Sequence, residues 1–184
     1  EAVIRAATGI VVVDEAYGAF HHDSFLPWAG EVENLVVMRT ISKIGFAGLR
    51  MGYAAASPSI MGELAKILPP YNMNQLSLAA AKFSLKHHQI IQQNIDTLKS
   101  ERSRVMNELL KLNRLEVFPS EANFITVRVP DANELFKTLK QNRILIKKLH
   151  GSHPLLDQCV RITIGSAAQN DAVLAVIKNL YPNL

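Results

Sequence analysis

A lysine with unusual neighbours occupies position 43, in the stretch VMRTISKIGFAGLRMGY that covers residues 37–53. The stretch starts as an apolar strand, passes Thr40 and Ser42 just before the lysine, and reaches Arg50 seven residues after it. A lysine amine can bond covalently to a carbonyl carbon, and hydroxyls with a forked guanidinium suit a phosphate group. The residue types therefore predict either a reactive site of that kind or an ordinary buried connection between strands.

A second polar group follows the apolar segment GIVVVDEAY, residues 9–17. Asp14 closes the apolar run, and Tyr17 lies three residues further on. Ligands of open α/β sheets collect at the carboxyl ends of strands. We therefore expect Asp14, Tyr17 and the Lys43 segment to meet in one crevice if the two strands are neighbours. Taken singly, each residue has a plainer interpretation, since an aspartate after a strand is often a turn residue and a single lysine is usually solvated.

The combination of these groups suits pyridoxal phosphate. The aldehyde of this cofactor requires a lysine amine, its pyridine nitrogen stays protonated beside a carboxylate, and its phosphate requires hydroxyls and an arginine. Lys43 and Asp14 meet the first two requirements, and the phosphate could be held by Thr40, Ser42 and Arg50.

The hydrophobic pattern predicts the elements that position these residues. Short apolar runs, typical of strands buried on both faces of a parallel sheet, occur in GIVVVDEAY, NLVVMRT and GYAAAS. Helices are predicted from Ser57 to the proline pair at 69–70 and over about 74–86 and 88–113. After residue 115, four predicted strands (LEVFP, NFITVRV, ILIKKL and CVRITIG) alternate with helices that begin at Asp131 and at a Ser166–Gln169 capping box.

This pattern predicts an α/β protein with two parts. Residues 1–100 read as a piece of a large parallel-sheet domain that includes the start of a connecting helix, and residues 101–184 read as a smaller α+β domain. The apolar run at 10–13 has no earlier strand to pair with, and three strands make a poor independent sheet. We therefore expect the chain to be the second half of a larger protein.

Composition excludes several classes of protein. A hydrophobic share of 48% and a charged share of 20% are ordinary for a globular protein. No run approaches the ~18 apolar residues of a membrane span, and Cys159 is the single cysteine, which rules out an internal disulfide. We expect a cytoplasmic protein with no membrane association. The basic excess lies mostly on residues 82–114, where helical spacing favours a solvated helix face over a nucleic-acid surface.

Six blocks of sequence carry a resemblance to a known family: VVVDEAYGAF, MRTISKIGFAGLRMGY, PPYNMN, ANFITVRV, ILIKKLHGSHPLL and CVRITIGS. Together they resemble the fold-type I aminotransferases, which use pyridoxal phosphate. Within that family they are most similar to the enzymes that exchange an amino group between L-histidinol phosphate and 2-oxoglutarate (or glutamate) in histidine biosynthesis. The blocks occur in family order over essentially the whole chain.

The resemblance implies a role for each residue of the predicted cofactor site. Lys43 would hold the cofactor covalently and move a proton between the substrate Cα and the cofactor's C4′. Asp14 would hold the pyridine nitrogen, and Tyr17 would hold the phenolic oxygen of the ring. The cofactor phosphate would be held by Ser42 and Arg50, with Thr40 nearby.

The resemblance also implies a substrate site. Arg161, in VRITIG, matches the arginine that grips the acidic group of the substrate, whether phosphate or carboxylate. Lys147 matches a second anion-binding position that is arginine in many relatives. Lysine can bind a phosphate there as a point charge, without the bidentate geometry of a guanidinium.

The matched blocks belong to the second half of the family's chain, so this chain would lack part of the active site and would be inactive alone. The full-length enzyme is expected to be a homodimer, with small-molecule substrates and no nucleic-acid partner. Another fold-type I enzyme, such as an aromatic transaminase or a phosphate-substrate decarboxylase, remains an alternative, as does a non-catalytic truncated scaffold. No metal site is expected, because the histidines at 21–22 and 87–88 lack ligand spacing.

Overall fold

Three apolar runs in the first half of the chain form one sheet, in a computed structural model that describes residues 1–183. Its strands are β1 (Val11–Asp14), β2 (Leu35–Thr40) and β3 (Gly52–Ala56), in the order β1-β2-β3. β1 and β2 run parallel, with Val11 opposite Leu35 and Asp14 opposite Met38. The carboxyl ends of the two strands therefore lie side by side, as the sequence predicted.

The third strand runs antiparallel to β2, with Thr40 opposite Gly52. The sheet is therefore mixed rather than wholly parallel. The reason is the length of the connection, because residues 41–51 are too few for the crossover of a dozen or more residues that a parallel pair needs. This short connection is also the segment that carries Lys43.

One face of this sheet is well covered and the other only in part. The unit contains α1 (Ala2–Ala6), α2 (Pro58–Ile67) and α3 (Gln75–Lys86), and α2 starts with proline at its first turn as predicted. Ile4 packs with Leu35 and Val37 on the covered face. Val12 and Met38 point the other way and are 53% and 40% exposed, whereas Val36 on that face is 6% exposed. The expectation of strands buried on both faces is therefore confirmed for residues 35–37 of β2 and wrong for β1.

The second half of the chain forms a separate sheet with helices. Helix α4 (His88–Leu110) contains the boundary between the two compact units, Glu1–Gln93 and Asn94–Leu184. The sheet has the strand order β4-β5-β7-β6, and every neighbouring pair is antiparallel. The remaining elements are β4 (Glu116–Val117), β5 (Phe124–Arg128), α5 (Ala132–Gln141), β6 (Lys147–Lys148), β7 (Cys159–Thr163) and α6 (Ala167–Leu180).

Capping residues begin the two later helices where the sequence predicted. The Asp131 carboxylate accepts hydrogen bonds from the amides of Asn133 (2.8 Å) and Glu134 (3.0 Å). At α6 both halves of the Ser166–Gln169 capping box are present. These bonds satisfy amide groups that would otherwise lack partners in the first turn.

The strand predicted in ILIKKL is shorter than expected. Only Lys147 and Lys148 pair with β7. Arg143 is in the left-handed region (φ +61°), and the Ile144 amide donates to the Leu139 carbonyl, so this part of the segment ends α5 instead of joining the sheet. None of the helices within residues 1–183 is long and apolar enough to cross a membrane.

Candidate functional site

Asp14 ends β1 with its carboxylate exposed at the carboxyl edge of the sheet. Its Oδ1 accepts a hydrogen bond from the Ala16 amide at 2.9 Å, which fixes the side chain in a local turn. No hydrogen bond to Oδ2 occurs within residues 1–183. One carboxylate oxygen is therefore available to a ligand in the crevice.

Tyr17 and Lys43 come together although they follow different strands. Tyr17 precedes a short 3₁₀ turn, Gly18–Phe20, and Lys43 lies in another, Ser42–Ile44. Lys43 Nζ is 5.2 Å from the centroid of the Tyr17 ring, within the range of a cation–π contact. The predicted convergence of these two side chains is therefore observed.

The hydroxyls of Thr40 and Ser42 are 2.8 Å apart at the end of β2. The Thr40 hydroxyl also donates to the Met51 carbonyl (3.0 Å), and its oxygen accepts from the Ser42 amide (3.0 Å). These bonds hold the start of the Lys43 turn against the strand that follows it. Both predicted hydroxyls thus lie beside the lysine.

Arg50 has a backbone conformation that is rare for a residue with a side chain. Its φ of 54° and ψ of 42° place it in the left-handed region, directly after the 3₁₀ turn Ala47–Leu49. Such a conformation costs about 1–3 kcal/mol, and functional sites are among the places where it occurs. Its guanidinium is exposed and makes no ion pair with any residue in 1–183, so it could meet an anion.

A crevice of about 440 Å³ opens at this edge of the sheet. Of the predicted cofactor residues, Asp14 and Thr40 line it, together with Met38 and with Gly52 at the start of β3. Tyr17, Ser42, Lys43 and Arg50 are not among the lining residues. A Cβ on Gly52 would lie 2.7 Å from the Arg39 carbonyl oxygen, so only glycine allows this approach of the backbones. The crevice joins the ends of all three strands.

An ion pair that the sequence reasoning missed borders this crevice. Arg39 donates to Glu15 Oε2 through both Nε (2.9 Å) and Nη2 (2.8 Å). Burial acts to raise the pKa of Glu15, but hydrogen bonds from the Phe25 amide, Arg39 and Ser24 outweigh it and hold that pKa below its ordinary value. The sequence places Glu15 and Arg39 near the ends of two neighbouring strands, but no local pattern pairs their side chains.

Arg161 and Lys147 form a separate group on the sheet of the second unit. They lie directly opposite each other on β7 and β6. Directly opposed like charges destabilise a strand pair, and neither cation has a carboxylate partner among residues 1–183. An anion bound between them would remove this repulsion.

The environment of Arg161 holds its guanidinium in place without satisfying it. The guanidinium carbon lies 4.8 Å from the centroid of the Phe124 ring, and Thr126 is its neighbour on β5. The Nε atom is buried and has no hydrogen-bond partner within the described chain. A buried donor without a partner costs about 1–3 kcal/mol, which an incoming acceptor would relieve.

The comparison with protein families decides the class of the chain. The family model described as aminotransferase class I and II matches residues 1–177. This chain belongs to the class I and II aminotransferases. The fold class predicted from the sequence is confirmed, because solved structures of this family match the chain over about half of their own length.

Three relatives of this family illustrate the similarity. The histidinol-phosphate aminotransferase of Neisseria meningitidis serogroup C is 70% identical over 181 residues, which are 98% of this chain and 50% of that protein. The structure of the histidinol-phosphate aminotransferase from Clostridium acetobutylicum is 27% identical with a TM-score of 0.89, over 100% of this chain and 58% of that one. The Sinorhizobium meliloti histidinol-phosphate aminotransferase, solved in complex with pyridoxal-5'-phosphate, is 25% identical with a TM-score of 0.79, over 93% and 49%.

This aminotransferase chain thus spans about half the length of the curated relatives it matches. The similarity to histidinol-phosphate aminotransferases predicted from the sequence is confirmed. The individual roles of the site residues stay predictions.

Proposed function

We propose that this chain is the carboxyl-terminal half of a histidinol-phosphate aminotransferase that depends on pyridoxal phosphate. The full-length enzyme, meaning the longer polypeptide that contains this half, exchanges an amino group between L-histidinol phosphate and 2-oxoglutarate in histidine biosynthesis. The 70% identity to the Neisseria meningitidis enzyme over 98% of the chain carries this proposal.

The polar groups that line the crevice and those on the turns that follow β1 and β2 together fit pyridoxal phosphate. Asp14 offers a carboxylate oxygen at the end of β1, and Lys43 offers an amine beside the Tyr17 ring. The paired hydroxyls after β2 and the unpaired Arg50 suit a phosphate dianion. The proposed ligands of the cofactor are therefore Asp14, Tyr17, Thr40, Ser42, Lys43 and Arg50.

Each of these side chains has a distinct task. When bound, pyridoxal phosphate supplies an electron sink for the negative charge that develops at the substrate Cα. The Asp14 carboxylate keeps the pyridine nitrogen protonated by its charge. Lys43 anchors the cofactor through its amine and transfers the proton at the substrate Cα, as a general base and then a general acid. Tyr17 donates to the ring oxygen.

Lys147 and Arg161 hold the acidic groups of the substrates in this proposal. Histidinol phosphate presents a phosphate and 2-oxoglutarate presents a carboxylate, and the forked guanidinium of Arg161 can bind either anion. Lys147, opposite Arg161, adds a point charge that suits the dianion better than the monoanion.

The assembly and location belong to the same proposal. We expect the full-length enzyme to be a cytoplasmic homodimer that acts on small molecules. The apolar side chains exposed on the first unit, such as Leu76 (84%) and Leu85 (70%), offer surface for association.

An assay of the purified full-length enzyme with the cofactor tests the function. Amino transfer from L-histidinol phosphate to 2-oxoglutarate, with little turnover of aromatic amino acids, is the expected result. A strong preference for aromatic amino acids, or release of carbon dioxide from a phosphorylated amino acid, would replace the proposal with one of its two enzyme alternatives. Absence of all three activities in a cofactor-loaded dimer would favour a non-catalytic scaffold.

A further inference from the structure

The side chain of Glu15 connects the ends of β1 and β2 through a dense set of hydrogen bonds. It accepts two bonds from Arg39 and one from the Ser24 hydroxyl (2.8 Å) at Oε2, and one from the Phe25 amide (2.6 Å) at Oε1. Arg39 Nη2 also donates to Ser24 Oγ at 2.8 Å. The Glu15 side chain is only 8% exposed, so this is an internal network and not a surface ion pair.

The position of this pair relates directly to the proposed cofactor site. Glu15 follows Asp14 in the chain, and Arg39 precedes Thr40. The backbone is tied at the same level, because the Glu15 amide donates to the Met38 carbonyl at 2.8 Å. The side-chain pair therefore fixes the spacing between the carboxylate that ends β1 and the segment that carries Lys43.

Gly18 packs closely against one side of the pair. A Cβ added to Gly18 would lie 3.1 Å from Glu15 Cβ and 3.3 Å from Glu15 Oε2, closer than ordinary contact. It would also lie 3.5 Å from Arg39 Nη2. Glycine at position 18 thus lets the turn after Tyr17 close against the ion pair.

Both charges of the pair are satisfied by each other and by the network. Its hydrogen bonds keep Glu15 ionised, as its lowered pKa indicates, and the Glu15 carboxylate helps to raise the pKa of Arg39 despite burial. Arg39 is therefore not a free cation for the cofactor phosphate, although it lies close to the crevice. Its effect on the cofactor has to be indirect.

We propose that Glu15 is a positioning residue of the cofactor site, which acts through Arg39 to hold Asp14 and the Thr40–Lys43 segment at a fixed separation. The inference rests on the proposed function of Asp14 and Lys43. With the cofactor bound, a protonated pyridine nitrogen would lower the pKa of the nitrogen that joins Lys43 to the cofactor. A displaced Asp14 would therefore raise the pH at which that nitrogen loses its proton.

The test uses the full-length enzyme and the variants Glu15→Gln and Arg39→Lys, each checked for folding by circular dichroism. Glutamine keeps the shape of Glu15 but removes the ion pair. Lysine keeps the charge of Arg39 but cannot donate two hydrogen bonds from Nε and Nη2. We expect Glu15→Gln to raise the Kd for pyridoxal phosphate on the order of tenfold and to move the pH midpoint of the absorbance near 400–430 nm upward. Arg39→Lys should show the same changes at smaller size.

Glu101→Gln is the matched control, since Glu101 and Arg104 form a similar forked pair in the second unit (2.9 and 2.8 Å). It should leave the Kd and the pH midpoint unchanged. Folded Glu15→Gln and Arg39→Lys variants with wild-type values would overturn the inference, as would equal shifts in the control. If the wild type shows no cofactor absorbance that depends on Lys43, the proposed function fails first, which separates the two outcomes.

Discussion

At the scale of single residues, the opposed cations Lys147 and Arg161 give the clearest link between structure and substrate choice. They share one face of the sheet, and the guanidinium of Arg161 already rests near the Phe124 ring with its Nε unsatisfied. An unsatisfied donor destabilises the free protein, so the anion that accepts a hydrogen bond from it binds more favourably. We therefore expect Arg161 to contribute most to binding of either substrate anion, and Lys147 to change the preference between them.

Arg161→Ala should weaken the use of histidinol phosphate and of glutamate alike in the full-length enzyme. The expected loss in kcat/KM corresponds to about 2–5 kcal/mol, the range for truncating one partner of a desolvated charge pair. Lys147→Ala should harm the phosphate substrate more than glutamate, because the dianion gains more from a second charge. Steady-state kinetics with both substrates measure the split.

Lys148→Ala is a matched control for the separate roles proposed for Arg161 and Lys147. Lys148 is the neighbour of Lys147 on β6, pairs with Val160, and donates instead to Asn133 at 2.7 Å. Successive residues of a strand face opposite sides, so this variant should leave both substrates unaffected. Small and equal losses from all three variants would contradict the proposed roles.

The sequence was sufficient to predict that the ends of β1 and β2, which carry Asp14 and precede Lys43, lie side by side. Asp14 and Lys43 follow apolar runs, and parallel neighbouring strands bring such ends together. The Glu15–Arg39 pair was not predicted, because its geometry depends on the loop at Ser24 and Phe25, which no local pattern places against Glu15. The left-handed conformation of Arg50 likewise has no signal in its residue type.

At the scale of elements, ion pairs connect the long helix α4 to α6 in the second unit. Glu101 pairs with Arg104, which also reaches Asp171 at 2.7 Å, and Glu101 accepts from Asn170 at 2.8 Å. Further along α4, Glu108 is bonded by Lys111 and by Lys178. These contacts add to the apolar packing between the helices and the sheet.

The stability of this unit should fall in acid through these two glutamates. Hydrogen bonds from Arg104 and Asn170 lower the pKa of Glu101 from 4.5 to about 2, and Lys111 and Lys178 do the same for Glu108. A group with a depressed native pKa stabilises the fold above its unfolded pKa and loses that contribution as the pH falls through the native value. The free energy of unfolding should therefore drop between pH 4.5 and 2.

Urea unfolding followed by circular dichroism across this pH range measures the effect. The double variant Glu101→Gln and Glu108→Gln should show a flatter dependence on pH, because the titrating groups are gone. Glu63→Gln serves as a control, since its carboxylate is 74% exposed and its pair with Lys66 is screened by water. An unchanged slope in the double variant would show that other carboxylates govern the acid transition.

Helix starts were easier to predict than strand lengths and directions. Asp131 and Ser166 carry capping signals that act over three residues, so the local sequence contains the whole interaction. The direction of β3 and the shortness of β6 depend instead on chain reversal at residues 41–51 and on the end of α5. Hydrophobic periodicity encodes neither feature, although the short connection before β3 could have been read from the sequence.

At the scale of the whole chain, the two units differ in how much apolar surface they bury. The buried cluster of the second unit contains 17 residues, whereas that of the first contains Ile4, Leu35 and Val37. Unit 1 also exposes large side chains on its open sheet face and on α3, including Phe83 at 65%. We therefore expect the second unit to be the more stable part of this chain.

The 184-residue chain alone should be inactive and should bind pyridoxal phosphate weakly, because it spans half the length of its curated relatives. Hydrogen exchange should show greater protection in residues 105–181 than in residues 1–93, and the mass in solution should rise with concentration as apolar surfaces associate. The full-length enzyme is the control for activity and cofactor binding. Turnover by the chain alone near that of the full-length enzyme would contradict this account.

The most direct test of the central claim is chemical labelling of Lys43. Borohydride reduces the bond between lysine and cofactor in the cofactor-loaded full-length enzyme and leaves a stable pyridoxyl mark. The enzyme is then digested, and mass spectrometry locates the mark. We expect the mark on the peptide that contains Lys43, and its loss in Lys43→Ala. A mark on a different lysine, or an unmarked protein with full activity, would contradict that claim.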